Sequence, residues 1–532
     1  MSSTTRNTCD ARDEGNKHYL VVTYHAWGHC RPMISLCAGK LLRLNTLLRI
    51  TILVPGALHS RVKGELARYS LSEDETARLR VVHYGPASAA MVKDEDRGGM
   101  IPDAVNAFRD IYRLILKVGG SLTDSITKEI IPSFAPLPAV IITDVVLSPS
   151  SSVSVNEVVR QGMSQNRSGK ILRFVPVSSA TFAWWYLPEL SPFPDILREM
   201  AKRTAKGGDP DQLYSKLVLE NEDIVYVPPC EPMHVYETEP NCPGTNLFLA
   251  RHYRNDQDKI DGAIVSWPAV MSQPMIAAAE RQFGRFYPIG PQLPPPQHDR
   301  VDSAAGRHPA LSFLDRFEPG TVLYISFGSW YYPPTPAQTT VLVDVLLGLS
   351  IPFLITQGLA DEESRQTLKE GGDVLEHVAV AAYLGHGGSN SVMESIEAGV
   401  PMSQIRTPLT AAFELIPLAV LWPGGHDQPW IANELSLVHN AAIELLEIRQ
   451  GPCIGLPTVR GPVIQGTEAA IRAEFIEVFT DAVRGGTRIN ETRQNVISLR
   501  DKIRADTREG GLSHRALVKL AWLGWEDNDD DT

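Results

Sequence analysis

One glycine-rich segment combines imidazole, hydroxyl, amide and carboxylate side chains in a spacing that suits a phosphorylated ligand. It reads GHGGSNSVMES over residues 385–395 and follows the apolar residues 378–384, which predict a short buried strand. Ser391 and Glu394 have the spacing of a helix capping box, and Gly399 marks the end of the predicted helix. At such a corner, free backbone N–H groups and the positive end of the helix dipole face an anion. We interpret the segment as a phosphate site, although an ordinary tight turn between a strand and a helix uses the same glycines.

A second polar group follows in the same half of the chain. The segment WPGGHDQP over residues 422–429 places Asp427 beside Gln428, and such a pair suits a ring of sugar hydroxyls, which need acceptors and donors together. Glu394, one turn into the predicted helix, would be reached by a ribose held at the helix start. His386 can donate a hydrogen bond to the anion. These residue types therefore suit phosphate, ribose and sugar hydroxyls in turn.

A third group lies near the start of the chain. The first predicted strand, 18–24, leads into a loop with His25 and His29, and Pro32 occupies the position expected for the first residue of the next helix. Asp144 ends a later predicted strand. A histidine near neutral pH can take a proton from an attacking hydroxyl, and an acid beside it orients the ring and stabilises its protonated form. From the residues alone either histidine is a candidate base, and loop histidines also occur without a catalytic role.

The elements around these residues alternate between strands and helices, which predicts βαβ units and parallel sheets. The predicted strands are 18–24, 50–54, 79–84, 139–143 and 172–177 in the first half, and 321–327, 352–356 and 378–384 in the second. Prolines between residues 288 and 296 predict a linker. We therefore expect an α/β protein with two Rossmann-like domains facing each other across a cleft, which binds ligands at the carboxyl ends of its strands.

Composition and charge exclude several classes of function. The 532 residues carry a net charge of -12, which disfavours nucleic-acid and anionic-membrane partners. No apolar run reaches the ~20 residues of a membrane helix, and the polar residues 1–17 do not form a secretory signal. The six scattered cysteines lack metal spacing and indicate reduced thiols, so we expect a cytoplasmic protein. A nicotinamide dehydrogenase is disfavoured, because the first turn contains Gly28 but no G-x-G-x-x-G.

The ordered pattern H-G-G-x-N-S-x-x-E-S, A-G-V-P, W-P, D-Q-P and N, from His386 to Asn433, resembles the signature segment of the UDP-dependent glycosyltransferases. The segment W-G-H-x-x-P is similar to the one that carries the catalytic base in that family, and the matching position is His29 rather than His25. The resemblance extends from His18 to about Leu523 and is strongest to fungal members that act on small lipophilic molecules.

The resemblance implies the GT-B fold and an inverting transfer of a hexose, with glucose favoured by Gln428, from a UDP-sugar co-substrate to a small lipophilic acceptor. His29 would be the general base and Asp144 its supporting acid, and neither a metal nor another cofactor is implied. The family's donor contacts map onto His386, Gly388, Asn390 and Ser391 for the phosphates, Glu394 for the ribose, Asp427 and Gln428 for the sugar, and Ser329 for the other side of the diphosphate.

With this resemblance, the chain divides into five predicted parts. They are a polar leader at 1–17, an N-terminal acceptor-binding domain at 18–290, a linker at 291–310, a C-terminal nucleotide-sugar-binding domain at 311–512, and a helix with an acidic tail at 513–532 that returns to the N-terminal domain. The sequence indicates neither the acceptor nor the oligomeric state.

Two departures from the family pattern fall within the donor site. The motif W-x-P-Q, whose Trp stacks on uracil, is absent from residues 358–382, and losing one such stack would cost roughly 1–3 kcal/mol of donor affinity. Residues 403–421 stand where W-P should follow Met402 almost at once, and a loop of this length would displace Asp427 and Gln428. We hypothesise that both departures reflect an imperfect gene model, which sequencing the transcript tests. If both are real, the alternative is a non-catalytic or impaired UDP-sugar-binding pseudoenzyme.

Overall fold

The computed structural model describes residues 15–87, 97–117, 120–134, 136–147, 158–160, 169–241, 260–295, 309–328, 334–356, 374–398 and 417–525. The strands up to residue 288 are β1 (Lys17–Val22), β2 (Leu48–Pro55), β3 (Leu79–Tyr84), β4 (Ser121–Thr123), β5 (Ile130–Pro132), β6 (Pro138–Asp144), β7 (Lys170–Val175), β8 (Ile224–Val225), β9 (Met233–His234), β10 (Gly262–Val265) and β11 (Phe286–Pro288). A seven-stranded sheet has the order β11-β10-β7-β6-β1-β2-β3, while β4–β5 and β8–β9 are separate antiparallel pairs.

The second sheet is five-stranded and parallel. Its strands are β12 (Val322–Ser326), β13 (Phe353–Thr356), β14 (Val380–Gly385), β15 (Leu418–Leu421) and β16 (Ala442–Glu444), in the order β13-β12-β14-β15-β16. We call the part of the molecule built on the seven-stranded sheet the N-terminal lobe and the part built on the five-stranded sheet the C-terminal lobe. The two parallel sheets with their helices confirm the predicted α/β class with two Rossmann-like units.

Helices connect the parallel strands and cover the sheets. They are α1 (Trp27–Ile34), α2 (His59–Leu66), α3 (Glu73–Arg78), α4 (Arg97–Ile115), α5 (Ser179–Tyr186), α6 (Phe193–Thr204), α7 (Pro210–Tyr214), α8 (Ala269–Ser272), α9 (Ile276–Phe283), α10 (Pro309–Leu314), α11 (Pro336–Gly348), α12 (Ser389–Glu397), α13 (Gln428–Asn433), α14 (Glu468–Arg484), α15 (Thr487–Thr507) and α16 (Leu512–Ala521). A π-helical segment and a final turn continue α1 to Leu44. Within the described ranges, none of these helices combines the length and the apolar character needed to cross a bilayer.

Strand order brings the candidate residues together. In the N-terminal lobe β1 and β6 are parallel neighbours, with Val22 opposite Thr143, so the loop after β1 and the final residue of β6 lie at the same sheet edge. In the C-terminal lobe β14 and β15 are neighbours, with Gly385 opposite Leu421. The turn after β14 and the segment after β15 therefore also meet at one edge.

The C-terminal helix packs against the N-terminal lobe. The Tyr19 hydroxyl donates to the carbonyl oxygens of Leu520 at 2.8 Å and Leu523 at 2.7 Å, and Asn45 Nδ2 donates to the Ala521 carbonyl at 2.8 Å. Leu517, Leu520 and Leu523 are buried in the same apolar cluster as β1 and β2. The end of the chain thus ties the C-terminal lobe back to the first sheet.

Three local predictions were wrong. Pro288 ends β11 and pairs with Val265, because an edge strand tolerates a proline, so the linker predicted between residues 288 and 296 does not begin at Pro288; the linker at 291–310 stays a prediction. Residues 418–421, which we had counted within an inserted loop, are the buried strand β15. Finally, α1 begins at Trp27 with Pro32 inside it, so His29 lies in a helix rather than in a loop.

Candidate active site

A histidine and an aspartate form a hydrogen-bonded pair at the edge of the seven-stranded sheet. Nδ1 of His29 lies 3.0 Å from Oδ2 and 3.2 Å from Oδ1 of Asp144. The Asp144 side chain is fully buried, whereas 26% of the His29 side chain is exposed. Oδ1 of Asp144 also accepts the backbone N–H of Val146 at 2.9 Å, which fixes the carboxylate. Because Nδ1 donates to the carboxylate, Nε2 is left as the nitrogen that can accept a proton.

The charge state of His29 depends on both lobes. Burial disfavours its protonated form, but the charge and the hydrogen bond of Asp144, together with the charge of Asp427, outweigh that effect and raise the pKa of His29 above 6.5. Asp427 belongs to the C-terminal lobe, so the imidazole faces the segment that we had predicted to contact the sugar. The His25 ring lies 3.8 Å from the Tyr24 ring between centroids, tilted by 52°, whereas His29 forms the hydrogen-bonded pair with Asp144.

The start of α12 contacts the N-terminal lobe directly. Asn390 Nδ2 donates to the Gly28 carbonyl at 2.7 Å, and the Ser389 hydroxyl donates to the Pro176 carbonyl at 2.7 Å. Pro32 explains the first contact, because it has no N–H. Any other residue at position 32 could donate the helical hydrogen bond to the carbonyl of Gly28, four residues earlier, so this carbonyl can accept from Asn390 instead. The phosphate contact predicted for Asn390 therefore competes with a contact between the lobes.

The glycines of this corner accommodate side chains of the protein itself. A Cβ at Gly388 would lie 2.5 Å from Nε2 of His386, and one at Gly328 would lie 2.8 Å from its Cε1, so the imidazole occupies the space that both glycines leave. At Gly385 a Cβ would lie 2.2 Å from the Tyr383 hydroxyl. Burial lowers the pKa of His386 to about 4, so the ring is neutral at pH 7 and can donate only one hydrogen bond.

The predicted capping box at Ser391 and Glu394 is wrong. Helix α12 begins at Ser389 with Gly388 as its N-cap, and no side chain of the corner caps it. Ser391 lies beside the Tyr383 hydroxyl, and Glu394 forms an ion pair with Arg31 of α1 instead of reaching back to its own helix start. Within the described ranges no acceptor contacts the backbone N–H groups of Asn390 and Ser391, and these amides are available to an anion.

The segment after β15 lies against this helix start. Oδ2 of Asp427 accepts the backbone N–H of Ser389 at 3.4 Å, and Oε1 of Gln428 accepts the backbone N–H of Gly424 at 2.7 Å. Burial raises the pKa of Asp427 to about 6, against the opposing influence of the Ser389 N–H and of His29. Gln428 thus stabilises its own turn, and Asp427 lies between the helix start and His29. Ser329 lies outside the described residues.

Arg31 is the site residue that the sequence analysis missed. It lies two positions after His29 and was assigned to a loop. Once residues 27–34 are recognised as a helix, Gly28 and Arg31 lie on one face of α1, as Asn390 and Glu394 do on α12. The helical spacing is the signal that would have identified it.

Comparisons with known proteins agree with this arrangement. The family model described as "UDP-glucoronosyl and UDP-glucosyl transferase" matches residues 371–412. The UDP-glycosyltransferase eriJ of Hericium erinaceus is 24% identical over 521 residues, which cover 88% of this chain and 90% of that protein. The UDP-glucose flavonoid 3-O-glucosyltransferase 7 of Fragaria ananassa is 25% identical over 239 residues, which cover 41% and 44% of the two chains.

Solved structures share the fold over nearly the whole chain. A transferase from Siraitia grosvenorii in complex with UDP has a TM-score of 0.62 at 16% identity, and covers 96% of this chain and 100% of its own. UGT71G1 of Medicago truncatula, complexed with UDP-glucose, has a TM-score of 0.61 at 16% identity, with 96% and 98% covered. These findings show that the chain is a glycosyltransferase, similar to UDP-glycosyltransferases over nearly its whole length.

Proposed function

We propose that this enzyme transfers a hexosyl group, with glucose as the first candidate, from a UDP-sugar to a hydroxyl of a small lipophilic acceptor, with inversion at C1 of the sugar. The acceptor would bind mainly to the N-terminal lobe and the donor to the C-terminal lobe. The observation that carries the proposal is the His29–Asp144 pair, in which Nδ1 binds the carboxylate, Nε2 is left to accept a proton, and Asp427 of the C-terminal lobe contributes to the raised pKa of the ring.

The proposed step is a single displacement. The acceptor hydroxyl gives its proton to Nε2 of His29, and its oxygen forms a bond to C1 of the sugar from the face opposite the diphosphate. The bond between C1 and the diphosphate oxygen breaks, and UDP leaves with the electron pair. Asp144 stabilises the imidazolium that forms, and the backbone N–H groups of Asn390 and Ser391, at the positive end of α12, stabilise the charge on the diphosphate.

The donor assignments follow the resemblance to the UDP-dependent glycosyltransferases. Glu394 would accept from the ribose, Asp427 from the sugar hydroxyls, and His386 and Ser391 would donate to the phosphates, with Ser329 predicted on the other side. Gln428 would need to release the Gly424 N–H or use its own amide N–H groups to reach the sugar. The cytoplasmic location stays a prediction.

Names of related proteins suggest which acceptors to test first. The Fragaria ananassa relative is named for glucosylation of flavonoids, and a structural neighbour from Arabidopsis thaliana was solved with quercetin. Purified enzyme should be given UDP-glucose, UDP-galactose and UDP-glucuronic acid with phenols, sterols and terpenoids. We expect UDP release that depends on the acceptor, and a β-linked product from the α-linked donor. An α-linked product would overturn inversion.

One observation favours a second candidate, a protein that binds a UDP-sugar without turnover. Two side chains predicted to contact the donor bind other protein groups, since Asn390 donates to the Gly28 carbonyl and Glu394 pairs with Arg31. Binding of UDP-glucose without release of UDP, with every acceptor of the panel, would support this candidate over the transferase.

A further inference from the structure

Arg31 places a permanent positive charge at the edge of the donor site from the opposite lobe. Its guanidinium Nη2 donates to Oε1 of Glu394, and the two side chains are 15% and 21% exposed. Within the described part of the chain, Glu394 is the one group that accepts a hydrogen bond from it. The guanidinium therefore covers the carboxylate to which the proposed function assigns the ribose.

We propose that Arg31 is a donor-binding residue that exchanges partners: when UDP enters, the ribose takes Glu394 and the guanidinium moves onto the diphosphate. The inference rests on the proposed function, because that function names Glu394 as the ribose acceptor. It adds a phosphate ligand from the N-terminal lobe, two residues after the proposed base.

The distances between the two helices support the exchange. Glu394 lies four residues after Asn390 on α12, a rise of roughly 6 Å along the helix axis. Asn390 in turn contacts Gly28, three residues before Arg31 on α1. The guanidinium is therefore about one helical turn from the backbone N–H groups to which we assign the diphosphate, a distance that a change of side-chain rotamer can span.

Charge favours the same exchange. A diphosphate leaving group carries about two negative charges, the start of α12 supplies about half a positive charge, and His386 is neutral at pH 7. A guanidinium, with its planar fork of donors, matches phosphate oxygens. Burial disfavours the charge of Arg31, but the carboxylates of Glu394 and Glu65 outweigh it and raise the pKa of Arg31. Glu65 is buried in the same lobe, so it still stabilises the guanidinium when Glu394 is taken by the ribose.

The test compares ligands with and without phosphates. Dissociation constants for uridine and UDP should be measured by calorimetry on the wild type, Arg31→Gln, Arg31→Lys and the control Arg281→Gln, which removes an exposed pair with Glu189 outside the cleft. Arg31→Gln should weaken UDP binding on the order of tenfold or more while uridine binds equally or more tightly. Arg31→Lys should recover part of the loss, and Arg281→Gln should change neither constant.

The outcomes separate this inference from the proposed function. Equal changes for uridine and UDP, or no change for either in a folded Arg31→Gln protein, would overturn the diphosphate contact alone. Wild-type protein that binds no UDP would overturn the proposed function and this inference with it. Circular dichroism of each variant establishes folding, and Arg31→Lys provides the comparison if the glutamine variant does not fold.

Discussion

Among the residues that the structure describes, two Arg–Glu ion pairs join the lobes, and they differ in burial. Arg449 of the C-terminal lobe donates to Glu237 of the N-terminal lobe at 2.9 Å and to Glu444 at 3.0 Å, with side chains that are 2%, 4% and 2% exposed. In the cleft, Arg31 and Glu394 are 15% and 21% exposed. We call the first contact the buried ion cluster and the second the cleft pair.

The difference indicates which side of the interface is permanent. In the buried ion cluster the Arg449 guanidinium has a carboxylate partner from each lobe, so opening that side would leave charges unpaired in a low-dielectric interior. In the cleft pair each side chain keeps access to water. A bound nucleotide would offer each side chain another partner, the ribose for Glu394 and the diphosphate for Arg31. The lobes are thus fixed on one side and exchange partners on the other.

The largest effect that we expect arises on the cleft side. His29→Ala should lower kcat by roughly 10²–10⁴-fold, because the acceptor hydroxyl loses its base, while UDP binding stays nearly unchanged. The matched control is His25→Ala, which removes the neighbouring histidine whose ring lies against Tyr24. Initial rates and UDP calorimetry check both variants. Full activity in His29→Ala, with loss in His25→Ala, would reverse the assignment.

On the buried side the expected effect is on stability. Arg449→Met leaves Glu237 buried without its cation, and leaves Glu444 with Arg460 alone, so it should lower the free energy of unfolding by roughly 3–5 kcal/mol, measured by urea denaturation. Arg31→Gln should lower it less, since the remaining Glu394 is partly exposed. If both variants lose the same free energy of unfolding, the buried ion cluster and the cleft pair do not differ as a permanent and an exchanging contact.

A smaller effect concerns the pH dependence of the reaction. The pKa of His29 is raised, and only the unprotonated ring is a base, so kcat/KM should rise with pH as it passes that raised pKa, above 6.5. In Asp144→Asn the largest raising influence is lost and burial remains, so the acid limb should move to lower pH, at a reduced maximum rate. Rates between pH 5 and 9 check this. If the acid limb of the kcat/KM profile does not move in Asp144→Asn, Asp144 does not set the pKa of His29.

Much of the fold followed from local patterns. Strand 79–84 was predicted at its exact bounds, and the strand before the glycine-rich corner within two residues, because short apolar runs between turn residues are a strong signal. The edge strand β11 was missed since its Pro288 begins a proline-rich stretch that resembles a linker, and β15 was missed since comparison with the family pattern placed it in an insertion. In both cases sheet pairing, which is not local, decided the outcome.

The sequence predicted the pairing of His29 with Asp144, but it did not predict the contacts that Asn390 and Glu394 make with the other lobe. The pairing of His29 with Asp144 follows from neighbouring parallel strands, and the structure brings the two together as the sequence analysis supposed. The contacts of Asn390 and Glu394 with the other lobe depend on how two helices from distant parts of the chain approach each other. Helical spacing places Gly28 and Arg31 on one face of α1, but no spacing within either segment encodes the approach of that face to α12.

The smallest effect tests the backbone contact beside the cleft pair. Pro32→Ala restores an N–H that can donate to the Gly28 carbonyl within α1, in competition with Asn390. Losing one hydrogen bond of roughly 0.5–1.5 kcal/mol between the lobes should lower kcat/KM about two- to tenfold, because His29 shares this helix. Asn390→Ala removes the same contact from the other side, so Pro32→Ala should have no further effect in that background. If the losses of kcat/KM in Pro32→Ala and Asn390→Ala add up in the double variant, the Gly28 carbonyl and the Asn390 amide act independently. Pro32 would then not contribute to joining the lobes.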